Sequence, residues 1–81
     1  MYLNVGADIL IKGEDIVGIF DLDTAGMGAD TKAILREKEK SGMVIQAGYE
    51  LPKSFVLTSE GRIYLSQFAS AVLKGGSRWL P

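Results

Sequence analysis

An α+β fold, with a small and mainly antiparallel sheet, a β-hairpin and two short helices, follows from three observations. Short β-prone runs recur at close spacing with turn residues between them. Two of these runs, KSFVLT and RIYLS, are joined by only Ser59, Glu60 and Gly61, the pattern of a hairpin. Just two stretches, both short, combine helix-forming residues with a glycine stop, so strands and helices do not alternate as a parallel α/β fold requires.

Taken in order, YLNV and DILI are short strands parted by Gly6-Ala7, and Gly13 closes the second. DIVGIFDL is the strongest strand of the first half. Its Ile16, Val17, Ile19 and Phe20 are apolar on both faces, which predicts a central strand or one buried in an interface. Gly18 in its middle predicts a bulge or a close backbone approach. DTAGMGAD is loop, and Asp30 is suited to N-cap the helix TKAILREKEKS, which Gly42 stops. That helix has a thin apolar stripe of Ala33, Ile34 and Leu35 within one turn, enough for one small contact.

MVIQAGY is a further strand, broken at ELP, where Pro52 keeps Leu51 extended. After the hairpin, Ser66 is read as the cap of a last helix, QFASAVLK, with Phe68, Ala71 and Val72 on one face and Gly75 ending it. The tail GSRWLP is expected to be mobile in a monomer, with Trp79 and Leu80 either fraying or anchored on a neighbour. Residues 1–76 thus form one domain and residues 77–81 a short C-terminal tail.

With 81 residues, no cysteine and no histidine, such a domain has few means of reinforcing itself. A short chain buries a small share of its surface. Disulfides and thiolate metal clips are excluded, so self-association is one of the few remedies left below about 80 residues. Missing histidine also removes the commonest general base and metal ligand. No apolar stretch approaches the roughly 20 residues that span a bilayer, and no signal peptide opens the chain. These features predict a soluble, cytoplasmic homo-oligomer with no cofactor, membrane or small-molecule substrate.

Charge is unevenly laid out. Residues 1–30 hold six acids against the single base Lys12, whereas residues 31–81 hold eight bases against four acids. Three readings fit: a basic face for an anionic partner, an acidic part of one subunit meeting a basic part of the next, or scattered solvated charge.

The stretch IVGIFDLDTAG invites a catalytic reading, because Asp21 and Asp23 stand two apart after an apolar strand, like the aspartate pair of haloacid-dehalogenase phosphatases. Phosphoryl transfer also requires a cation for the phosphate and further acids for magnesium, on a far longer parallel-sheet domain. The structural reading prevails: acids near a helix N-terminus, where negative charge is favoured. GMGADTKA does not match the spacing of a phosphate loop either. On the first helix, Lys32, Arg36 and Lys40 recur every four residues and share a face, which serves either phosphates or solubility. Lys53 and Arg62 fall at opposite ends of the predicted hairpin.

Two segments together, SGMVIQAGYELPKSFVLTSEGRIYLSQFASAVL and NVGADILIKGEDIVGIFDLDT, resemble the RemA/RemB family of small bacterial regulators of extracellular-matrix (biofilm) genes. The resemblance covers nearly the whole chain, and DIVGIFD and PKSFVLT followed by YLS look closer to the RemB branch. It implies a DNA-binding transcriptional regulator without enzymatic activity, assembled as a closed homo-oligomeric ring that engages DNA through repeated basic surfaces. Such a ring would bury strand edges that a lone subunit exposes. The apolar strand residues Ile16, Val17, Ile19 and Phe20, with Trp79, are the candidate subunit interface.

The RemA branch carries its DNA-contacting arginines where this chain has Asp15, Leu51 and Pro52. If DNA is bound here, other bases make the contact: Lys53 and Arg62 first, Lys32 and Arg36 second. The alternative is a ring-forming protein-interaction module that has lost DNA binding.

Overall fold

A computed structural model describes residues 1–22 and 28–81. In chain order the elements are β1 (Tyr2–Gly6), β2 (Ile9–Lys12), a 3-10 turn (Gly13–Asp15), β3 (Ile16–Asp21), α1 (Ala29–Lys40), β4 (Val44–Ala47), β5 (Ser54–Thr58), β6 (Ile63–Ser66), α2 (Ser70–Lys74) and β7 (Trp79–Leu80). They build two sheets, β2-β1-β7 and β3-β5-β6-β4. All pairings are antiparallel except β4 with β6, so the expectation of an α+β fold with mainly antiparallel sheets holds.

The sheets face each other across the core. Leu3, Val5 and Ile11 from the small sheet meet Val56 and Ala47 from the large one, and Leu73 of α2 closes the end. Leu3, Val5, Val56 and Leu73 are fully buried. Hydroxyls stitch this interface together. Ser66 Oγ donates to the Val5 carbonyl at 2.7 Å and accepts from the Phe68 N–H at 3.1 Å, while Ser54 Oγ donates to the Phe68 carbonyl at 2.6 Å. A buried hydroxyl without such a partner would be costly, so these serines fix how the two sheets and the chain after β6 are joined.

The opposite face of the large sheet is covered only in part. There Phe20 stacks on Phe55 with ring centroids 5.0 Å apart, and α1 lies over the surface without a single buried residue. Of its predicted stripe only Leu35 is half-buried; Ala33 is exposed and Ile34 is 53% exposed. The helix ends as a glycine there dictates: Gly42 has φ +73°, its N–H reaches the Glu39 carbonyl, and the Met43 N–H reaches that of Lys38.

Five local expectations need correction. The cap of α1 is Gly28, with no side-chain hydrogen bond, and Asp30 sits in the first turn, where its charge suits the helix dipole. Ser66 does not cap α2, because its hydroxyl is committed to Val5 and Phe68; the helix begins four residues later with Ala69 as its cap. Its buried positions are Ser70 and Leu73, while Ala71 and Val72 are exposed, so the predicted face was off by the late start. The tail is not loose: the Asn4 N–H donates to the Arg78 carbonyl, Arg78 Nε donates to the Asn4 carbonyl, and Trp79 and Leu80 pair with β1.

The fifth correction concerns β3, which is not the central strand of its two expected placements: it stands at an edge and, among the described residues, pairs only with β5. Ile16 and Ile19 point into the core, but Val17 is 63% exposed and Phe20 45% exposed. Gly18 does mark a bulge, with the register shifting between Ile16 and Gly18. A Cβ on Gly18 would lie 2.5 Å from the Phe20 ring, so the missing side chain also makes room for that ring.

Candidate nucleic-acid interface

The acidic stretch that suggested a phosphatase has a structural job. Asp21, at the end of β3, accepts a hydrogen bond from the Ser70 N–H at 3.3 Å and so holds the start of α2. The Ser70 hydroxyl first, then its N–H, and finally the charge of Lys74 hold the Asp21 carboxyl below the usual carboxylate range. Its predicted companion Asp23 lies outside the described residues.

The basic candidates fall into three places. Lys53 is exposed just before β5, and its backbone is fixed by hydrogen bonds to Ser66 and Leu22. Arg62 is exposed just before β6, where its carbonyl accepts from both the N–H and the hydroxyl of Thr58. Strand rise puts these two ends of the hairpin roughly 17 Å apart. Lys32 and Arg36 share the solvent side of α1 with Lys40 and are also exposed. The four therefore do not converge on one spot of the chain.

Arg62 borders a groove of about 410 Å³ between the ends of the two sheets, lined also by Tyr2, Lys12, Asp15, Glu60 and Tyr64. Its guanidinium lies 3.8 Å from the Glu60 carboxylate, an exposed pair that contributes little and leaves the charge available. At the other end of the sheet, the loop between β4 and β5 leads to Lys53. It projects Tyr49 and Leu51 into solvent, at 102% and 86% exposure. Nothing in local periodicity distinguishes these two from buried residues; the signal available was their position between Gly48 and Pro52, which makes a turn.

A family model described as "RemA-like: Extracellular matrix regulatory protein A-like" matches residues 2–75, nearly all of this two-sheet domain. This chain belongs to the RemA-like family. Among curated proteins it is 32% identical over 80 residues to Extracellular matrix regulatory protein B of Bacillus subtilis strain 168, covering 99% of this chain and 94% of that protein. The likeness to the RemB branch agrees with the residues DIVGIFD and PKSFVLT quoted above.

Within this RemA-like fold, the three positions at which the resemblance puts DNA-contacting arginines lie at both ends of the large sheet. Asp15 precedes β3 and lines the groove with Arg62; Leu51 and Pro52 stand in the exposed loop immediately before Lys53. Each of these three positions therefore has a base nearby. Of the candidate interface residues, Val17 and Phe20 are presented outward. Ile16 and Ile19 pack into the core of the chain itself, and the Trp79 indole N–H donates to the Leu73 carbonyl at 2.7 Å. No helix among the described residues is long and apolar enough to cross a membrane.

Proposed function

We propose that this RemA-like protein is a non-enzymatic, cytoplasmic DNA-binding regulator of extracellular-matrix genes, working as a closed ring of identical subunits. The observation that carries the assembly is β3: an edge strand with no partner on its outer side among the described residues, bearing exposed Val17 and Phe20, the latter lining a cleft with exposed Ile34. An apolar edge of that kind is a hazard for a monomer and an asset for a ring, which covers it in every subunit.

DNA contact rests on Lys53 and Arg62, each beside a position where the RemA branch carries arginine, with Lys32 and Arg36 adding to the basic surface. A single subunit offers few phosphate contacts. Repetition around a ring multiplies them, so weak individual contacts sum to useful affinity. Replacing Lys53 and Arg62 together by alanine is expected to weaken binding to a generic duplex and to reduce its salt slope. Measured by titration at low and high salt, an unchanged slope would remove both residues from the site. The exposed Tyr49 and Leu51 at one end of the large sheet, with an acid at position 15 at the other, favour a second reading, a ring that meets a protein instead of DNA. In that case no salt-dependent duplex binding appears even at low ionic strength.

A further inference from the structure

Among the described residues the large sheet has two free edges, β3 and β4, at opposite margins and about 14 Å apart by strand spacing. They run in the same direction, because β5 is antiparallel to β3, β6 antiparallel to β5 and β4 parallel to β6. Beside β3, and under α1, lies an open apolar cleft of about 180 Å³ lined by Phe20, Ile34, Leu35, Phe55, Leu57 and Ile63. Beyond β4, the loop of Tyr49–Leu51 projects an aromatic ring and a leucine that touch almost nothing of their own subunit. One margin thus carries a hollow and the other a projection.

Placing the β4 margin of one copy against the β3 margin of another sets the two abutting strands parallel. It brings the loop after β4 beside the end of β3, where Phe20 opens into the cleft. Charge agrees with this pairing. Asp15 and Asp21 bound β3, whereas Lys38 and Lys40 precede β4 and Lys53 follows its loop, with Glu39 and Glu50 the exceptions.

We propose that the occupant of the α1–β3 cleft is the Tyr49–Leu51 loop of a second copy of this chain, making a head-to-tail contact between unlike surfaces. The proposal rests on the ring reading and names its contact. A heterologous interface of this kind either closes into a ring or continues as a filament. It also sets each Lys53 beside the β3 edge of its neighbour.

The test uses two charge-inserting variants at exposed positions, Ile34→Asp in the cleft rim and Leu51→Asp on the loop. Each is expected to drop the full-length protein from its assembled mass to the 8.8 kDa subunit. Mixed in equal amounts, they should form a dimer and nothing larger, because one intact cleft and one intact loop remain between them. A mixture that stays monomeric overturns the pairing, as does an assembly that survives either substitution. Should either variant fail to fold, cysteine pairing gives the answer in a chain that has no cysteine of its own. Oxidised Ile34→Cys/Leu51→Cys protein should yield covalent multimers on a non-reducing gel, while each single variant stays uncrosslinked. Absence of multimers from an assembled double variant refutes the contact but leaves the ring intact. A monomeric wild-type protein refutes the ring itself.

Discussion

The two faces of the β3-β5-β6-β4 sheet are built to different standards. Its inner face meets the small sheet through the buried Val56, Ala47, Leu3 and Val5, with the Ser54 and Ser66 hydroxyls at that seam both engaged. Its outer face lies under a helix with no buried residue and leaves a cleft open along β3. The same strands supply both faces, so the difference arises from what covers them. Burial is concentrated on the inner side, while among the described residues the outer side and its edges are the less covered.

This contrast makes core truncation the most damaging change. Leu3→Ala, at a fully buried position, should cost about 2–5 kcal/mol, a large fraction of what so small a domain possesses. Urea unfolding should detect it as a fall in midpoint. Ile34→Ala on the outer face should move the same midpoint by only about 0.5 kcal/mol or less. Equal losses at the two positions would erase the distinction between the faces.

Next in size is Ser66→Ala. It removes the donor to the Val5 carbonyl and the acceptor for Phe68, leaving buried backbone groups unpaired at a cost of about 1–3 kcal/mol. Ser41→Ala, which deletes an exposed side-chain bond to the Glu37 carbonyl, should be close to neutral by comparison.

Much of the inner face was legible in the sequence. The β5–β6 hairpin, the bulge at Gly18 and the glycine stop of α1 are local features, set by turn residues and backbone geometry that any reader of the chain can weigh. What escaped depends on long-range partners. Ser66 reads as a helix cap until Val5, distant in sequence, claims its hydroxyl. The tail reads as mobile until β1 offers it a strand to join. The run of Ile16 to Phe20 reads equally as a central strand or an interface strand, and only the sheet order reveals that it stands at an edge. The basic candidates were legible as residues, but their separation into two sheet ends and a helix face was not.

The smallest expected effect concerns acid. The Asp21 carboxyl is held below its ordinary value, mainly by the Ser70 hydroxyl and N–H. A lowered native pKa means that its stabilisation is fully present above the unfolded value of about 3.9. It drains away as pH falls through the lowered native one. Asp21→Asn should therefore flatten the acid limb of the stability profile and leave the neutral region little changed. A variant whose acid limb matches that of the wild type would show that the bond to α2 carries no weight in solution.

Mass in solution tests the central claim most directly. Light scattering on the wild-type protein at micromolar concentration should give one species, a fixed multiple of 8.8 kDa, with the apolar β3 edge covered in every copy. A stable, folded particle of a single subunit, unchanged on concentration, would contradict the account.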